Sequence, residues 1–320
     1  MDERPRVIAI MGPTGVGKSR LALQLAKDLD AEIINADSVQ VYRFLNVGTA
    51  KPTAAERAEV SHHLLDILDP DEDFDVCRYS TMARALIENL ASHGKLALVV
   101  GGTGLYLKAV FHGIFPGAPS NRQVRQRLRE EAKKDNGKSL YRRLQEVDPL
   151  TGQRLHPNDL FRIIRALEVW ECTGKPVSAL RREHGFRERP FQALKIGLNL
   201  PRRELYDRID RRVEEMMAQG FLQEVKELVK LGYGPQLKSM QALGYRHLLE
   251  HVTADLPLSE ALRTLKRDTR RYAKRQLTWF RRDSGIHWFH PQDVHRVATL
   301  AHQFLRLSRP TERFAFRHKS

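Results

Sequence analysis

The sequence predicts an α/β protein: a P-loop, doubly wound parallel sheet carrying a helical insertion domain and a helical C-terminal region. Three observations lead there. Short apolar runs without alternation, at residues 6–11 (RVIAIM) and 96–100 (LALVV), each end in a glycine loop, the pattern of a strand buried on both faces. The stretch at 19–29 and the one at 77–92 repeat apolar residues at helical spacing. A G-x-x-x-x-G-K-S motif joins the first strand to the first helix.

Each element follows in order. After the strand at 6–11, residues 19–29 form an amphipathic helix with Leu21, Leu25 and Leu29 four apart. Residues 32–35 (EIIN) form a second strand that leads into Ala36-Asp37-Ser38. A helix over 77–92 sets Met82, Leu86 and Leu90 on one face, and the strand at 96–100 opens into Gly101-Gly102-Thr103-Gly104. From Asn121 to about residue 188 the pattern is helical and heavily charged, until residues 193–200 (ALKIGLNL) read as a strand again. The expected division is a core of residues 1–117 and 190–320, interrupted by a helical insertion at 118–189. Beyond Pro201, helices are expected over 202–231, 239–251 and 258–282, and the basic tail from Leu307 is expected to be loosely ordered.

The 320 residues are 41% hydrophobic, enough for a sizeable core. No run reaches the ~18 apolar residues of a membrane span, and the charged N-terminus turns directly into a strand, leaving no room for a signal peptide. The two cysteines, Cys77 and Cys172, form neither a CxxC nor a zinc-type spacing, so a reduced cytoplasm and core or half-buried thiols are expected. Lys and Arg number 54 against 39 for Asp and Glu, a formal net charge of +15. Such an excess concentrates polyanions and points to nucleic acid as substrate or partner. The pair His62 and His63, ahead of an apolar run, reads as structural hydrogen bonding rather than as a metal site.

Gly12, Pro13, Thr14, Gly15, Val16, Gly17, Lys18 and Ser19 form the phosphate motif. Its glycines let backbone N–H groups turn inward, Lys18 adds a point charge, the Ser19 hydroxyl can ligate Mg²⁺, and the helix N-terminus favours the anion. The strand at 96–100 ends in glycine where a nucleotide hydrolase usually places a metal-binding acid. The acid at a strand end is Asp37 instead, suited to take a proton from an acceptor or, alternatively, to cap a helix.

In order along the chain, GPTGVGKS (12–19), NADSVQVY (35–42), VGTAKP (47–52), HHLLDILDP (62–70), VVGGTGLY (99–106), HPNDLFRIIRALEV (156–169), LYDRIDRRVEEM (205–216), MQALGYR (240–246) and RRYAKRQLTWFRR (270–282) resemble the tRNA dimethylallyltransferases of bacterial type. Val47, where a small residue is expected, and the lack of a zinc finger are the departures. The resemblance implies dimethylallyl diphosphate on the P-loop with Mg²⁺. It also implies an acceptor, N6 of the adenosine 3′ of the anticodon, flipped out of its stack because a stacked base hides that atom. Carried over residue by residue, Asp37 is the general base, Thr103 orients the reacting groups, and Arg212 stabilises the leaving diphosphate, with Arg208 one turn away as the alternative.

The same resemblance assigns contacts to the tRNA. Asp37, Ser38, Val39 and Gln40 would meet the target base, the amide of Gln40 suiting an adenine edge. Phe161, Arg162, Ile163, Ile164 and Arg165, together with Met240, Gln241, Ala242, Leu243, Gly244, Tyr245 and Arg246, would grip the anticodon loop. Arg125 would add a phosphate contact from the insertion. Lys274, Arg275, Gln276, Leu277, Thr278, Trp279, Phe280 and Arg281 belong to a basic helix with interleaved aromatics. Helical spacing puts Arg267, Arg271, Lys274, Thr278 and Arg281 on one face and Ala273, Leu277 and Phe280 on another. No protein partner is implied, and a monomer is expected. Three other readings are weighed against this one: a small-molecule P-loop kinase, an enzyme prenylating free adenine nucleotides, and an RNA-binding protein with an inactive phosphate loop. The missing strand-end acid, the charged insertion and the joint presence of Lys18, Asp37 and Thr103 count against each in turn.

Overall fold

The computed structural model describes residues 2–115 and 121–306, so the division expected at Gly117 and the tail from Leu307 lie outside the described residues. Strand β1 (Arg6–Met11) runs through the phosphate loop into α1 (Lys18–Asp28), and β2 (Ala31–Asn35) is followed by α2 (Ala54–Glu59) and the short β3 (His62–His63). Helix α3 (Val76–Ser92) precedes β4 (Leu96–Gly101) and α4 (Gly104–His112). A run of helices follows: α5 (Arg122–Asp135), α6 (Lys138–Val147), α7 (Pro149–Arg154), α8 (Leu160–Thr173) and α9 (Val177–His184). Strand β5 (Gln192–Leu198), α10 (Arg202–Ala218), α11 (Phe221–Lys230), α12 (Tyr245–Thr253), α13 (Leu258–Phe280), β6 (Ile286–Phe289) and α14 (Val294–Arg306) complete the described chain.

The strands form one parallel sheet in the order β3-β2-β4-β1-β5-β6. Side chains alternate across it. Val7, Ala9 and Met11 of β1 pack with residues of α3, α4, α11 and α12. Ile8 and Ile10 turn the other way, onto Leu21 and Leu25 of α1, Ile209 of α10 and Val297 of α14. Helices therefore cover both faces, which is why the strands read as unbroken apolar runs. No helix among the described residues is long and apolar enough to cross a membrane.

Several expected elements are revised. The single helix expected over 202–231 is two, α10 and α11, because Gly220 caps α11 in the left-handed region at φ 94°. Residues 239–244 precede α12 rather than belonging to it. Strand β6 and helix α14 were not expected, because β6 is a four-residue edge strand whose exposed His287 and Trp288 break the apolar signal. Cys77 and Cys172 are exposed, not core, because each sits on the outward face of its helix.

Two compact units emerge, Met1–Phe111 with Pro190–Ser320, and His112–Arg189. The second has its own core, built on Leu128, Leu140, Leu144, Ile163 and Leu167. Within that unit Glu168 is fully buried and accepts hydrogen bonds from Arg125 (2.9 Å), Arg165 (3.0 Å) and the Asn121 amide (2.8 Å). These partners outweigh the cost of burial and hold its carboxyl below the usual range.

Candidate active site

The loops leaving β1, β2 and β4 meet at the carboxyl edge of the sheet, the end at which open α/β sheets bind ligands. At the end of β1 the chain turns through Gly12 at φ 147°, where a Cβ would come within 2.6 Å of the Leu198 carbonyl oxygen. Val16 is fully buried and anchors the loop in the core. Gly17 caps α1 with no side-chain hydrogen bond, leaving N–H groups of the first turn to point at an anion. The Lys18 ammonium folds back across the loop to the Pro13 carbonyl (2.8 Å), and Ser19 is exposed on the first turn.

A cavity of about 330 Å³ opens here, lined by Thr14, Lys18 and Ser19 from the phosphate loop, by residues 37–40 after β2, and by Gly101 and Gly102 after β4. Asp37 caps no helix. Its Oδ1 accepts the amides of Val39 (2.8 Å) and Gln40 (3.3 Å), fixing the carboxylate in a tight turn. The Ser38 amide donates to Thr103 Oγ1 (3.2 Å) and the Thr103 amide to the Ala36 carbonyl (3.2 Å), which staples the loop after β2 to the loop after β4. A Cβ at Gly101 would collide with the Ala36 carbonyl. The strand end that lacks an acid therefore has no room for any side chain.

Of the two candidate arginines, Arg212 lines the cavity, whereas Arg208 pairs with Glu204 at 2.9 Å and does not. Arg212 points to the Thr49 carbonyl (3.5 Å), to which Gln40 Nε2 also donates (3.0 Å). Burial pushes the Lys18 ammonium down to about 8, and the neighbouring Arg212 adds to this while Asp37 opposes it. Burial likewise depresses the Arg212 guanidinium, against the pull of Asp37. Two cations and one carboxylate thus face a common space built to receive an anion. Among the described residues no group of three or more His, Cys, Asp or Glu could cage a metal. The Ser19 hydroxyl suits a cation that keeps several waters and shares a ligand's phosphate oxygens, as Mg²⁺ does.

The blocks expected to touch RNA separate by face. On α13, Lys274, Arg275, Thr278 and Trp279 are exposed, as is Arg281 at its C-cap, but Phe280 is buried and Leu277 packs toward the core. Gln276 is buried too, bonded to the phosphate loop. In the second unit Phe161 and Arg162 project outward while Ile163 and Ile164 are core. Arg125 and Arg165 share Glu168. In residues 240–246, Met240 and Tyr245 are fully buried, Leu243 and Gly244 line the cavity, Ala242 packs on the core, Gln241 is exposed and Arg246 pairs with Asp268 (2.9 Å). A helix turns every third or fourth residue inward, so a contiguous block cannot present all its side chains to one ligand. His62 Nδ1 donates to the Val60 carbonyl (2.7 Å) and His63 pairs with Glu32 (2.6 Å), both structural bonds.

A family model described as IPP transferase matches residues 40–283. A protein named tRNA dimethylallyltransferase from Syntrophobacter fumaroxidans is 53% identical over 289 residues, covering 90% of this chain and 84% of its own. The chain belongs to the tRNA dimethylallyltransferase family. A second relative of that name, from Desulfosudis oleivorans, is 49% identical over 95% of this chain and 97% of its own. Among solved structures, the full-length tRNA isopentenylpyrophosphate transferase from Bacillus halodurans superposes with a TM-score of 0.71 at 38% identity, covering 94% and 97% of the two chains. A eukaryotic dimethylallyltransferase described as acting on tRNA gives 0.77 at 31% identity, covering 93% of this chain and 77% of its own.

Two parts of this family member's cavity had no separate signal in the sequence. Tyr272 lines it, its hydroxyl pushed up to about 12 by burial and by Asp37. The loop at 46–48 is held by Glu224 of α11, whose carboxylate accepts the amides of Asn46 (3.0 Å), Val47 (2.7 Å) and Gly48 (3.1 Å). Tyr272 was legible only as part of a basic block, and Glu224 only as one helical acid among many.

Proposed function

We propose that the chain transfers a dimethylallyl group from dimethylallyl diphosphate to N6 of the adenosine 3′-adjacent to the anticodon in tRNA, giving N6-isopentenyladenosine and diphosphate. The observation that carries this reading is the shared cavity: a phosphate loop from the end of β1 and a fixed carboxylate from the end of β2, the strands on either side of β4, face the same space, with Arg212 lining it beside both charges. The family membership supplies the reaction class.

In this reading the donor's diphosphate lies against Lys18, Ser19 and the first turn of α1. Mg²⁺, held through Ser19 and diphosphate oxygens, would offset the charge on the leaving group. The prenyl C1 points toward Asp37. N6 forms a bond to C1 as the C1–O bond breaks, the electron pair leaves on the diphosphate oxygen, and the N6 proton passes to the Asp37 carboxylate. An ordinary carboxylate suffices, because the amine becomes strongly acidic only as it bonds to carbon. Thr103, held by the Ser38 amide, orients the acceptor. Lys18 and Arg212 meet the charge developing on the diphosphate. The exposed basic face of α13, with Lys274, Arg275, Thr278 and Arg281, is assigned to tRNA phosphates, and Phe161 and Arg162 to contacts made by the second unit. The enzyme acts as a monomer in the cytoplasm.

The test is to incubate the protein with Mg²⁺, dimethylallyl diphosphate and unmodified tRNA carrying adenosine 3′ of its anticodon, then digest and examine the nucleosides by mass spectrometry. Isopentenyladenosine at that one position is expected. ATP hydrolysis or phosphate transfer without it would replace the proposal with the kinase reading. The two arginines give a second test: Arg212→Ala is expected to lower kcat by about 10²-fold, the scale of one lost charge-stabilising group. Arg208→Ala, which breaks only its pair with Glu204, should stay within about threefold, as surface ion pairs contribute little. Equal losses in both variants would withdraw the assignment of Arg212.

A further inference from the structure

We propose that Gln276 is a positioning residue for the diphosphate donor and not a contact to RNA, an inference that rests on the phosphate loop being the donor's seat. Gln276 stands in the basic block of α13 beside Arg275, yet it is only 8% exposed. Its carboxamide bridges two loops. Oε1 accepts the Thr14 amide (2.9 Å) and Nε2 donates to the Gly102 carbonyl (2.9 Å). Only this orientation satisfies both groups, since the reversed amide would set donor against donor and acceptor against acceptor. The close approach is built in from the other side as well: a Cβ at Gly102 would collide with Gln276 Nε2.

The bridge continues along the chain. Gly102 is followed directly by Thr103, whose Oγ1 accepts the Ser38 amide (3.2 Å). Gln276 therefore ties Thr14, in the donor loop, through the Gly102-Thr103 segment to the turn that carries Asp37. Thr14 lies between Gly12 and Gly15, both at positive φ (147° and 79°), the most pliable part of the loop. An anion site built from backbone N–H groups works only if those groups are oriented before the anion arrives. Gln276 provides that restraint, since the loop has no side-chain cap of its own at Gly17. Its own polar atoms are occupied by protein, so its substitution leaves the exposed basic face of α13 unchanged.

Two variants test this. Gln276→Leu removes both hydrogen bonds. Gln276→Glu keeps the shape and an acceptor for Thr14, but sets a carboxylate oxygen against the Gly102 carbonyl and adds negative charge beside the diphosphate; should the Leu variant lose its fold, the Glu variant carries the test. Calorimetric Kd for dimethylallyl diphosphate, filter-binding Kd for unmodified tRNA and KM for each substrate would be measured alongside the wild type. Both variants are expected to raise the donor Kd and KM about ten- to hundredfold while the tRNA Kd stays within about threefold, the scale of one buried group left unsatisfied. A donor Kd equal to that of the wild type overturns the proposal, as does a tRNA Kd that rises in step with the donor Kd, which would make Gln276 an RNA contact. A wild-type protein that does not bind dimethylallyl diphosphate at all would remove the functional reading, and this inference with it.

Discussion

Asp37→Ala is expected to lower dimethylallyl transfer by about 10²- to 10⁴-fold, the range of a lost general base, while tRNA affinity changes only a few-fold. The geometry explains why the two effects should separate. One oxygen of Asp37 is spent on the amides of Val39 and Gln40, so the residue also shapes its own turn. Asp37→Asn keeps an oxygen for those amides and removes only the basicity. It is therefore the sharper variant: single-turnover rates should fall as far as in Asp37→Ala, with the turn preserved. If tRNA binding in either variant fell as much as the rate, Asp37 would be a binding residue and the proton would need another acceptor.

Lys18→Met is expected to weaken dimethylallyl diphosphate binding by about 10²-fold or more, because in the proposed reaction the ammonium would meet the diphosphate in a partly buried site where charge is poorly screened. The wild type also carries a pH signature that the variant lacks. Burial holds the Lys18 ammonium at about 8, and the diphosphate favours the charged form. Donor affinity should be constant below about pH 8 and weaken as pH rises through it, by at most tenfold per unit. The variant serves as the control for any pH dependence belonging to the diphosphate itself. Stability moves the opposite way. An unfolded lysine titrates near 10.5, so between about 8 and 10.5 the folded protein binds fewer protons than the unfolded chain, and the cost of burying Lys18 is relieved as pH rises. Lys18→Met should then raise the melting temperature at pH 7, with the gain fading above pH 8. A flat affinity profile from pH 6 to 10 would mean that Lys18 does not carry its proton to the diphosphate.

The sequence by itself determined the sheet's central strands, the phosphate loop and the strand ends at which Asp37 and Thr103 stand. Each of these is encoded locally. A strand buried on both faces must be apolar throughout, a phosphate loop needs its glycines and lysine at fixed spacing, and Asp37 and Thr103 follow directly from the strands they end. The weak elements were those with little local signal. Strand β3 is two residues long, β6 is a short edge strand with exposed side chains, and a left-handed glycine at 220 separates α10 from α11 inside one apolar pattern.

Only the tertiary structure decided which member of each block faces which neighbour. Arg208 and Arg212 share a helix face at the level of periodicity, and the packing of α10 against the sheet places just one of them in the cavity. Ile163, Ile164, Met240, Tyr245 and Phe280 belong to blocks assigned to RNA, yet each is buried. Gln276 is the clearest case. Its neighbours in sequence are exposed cations, while its own carboxamide joins loops some 174 and 262 residues away. A hydrogen bond across such a separation leaves no trace in local composition, because its partners are set by where the folded strands end and not by what stands next to them in the chain.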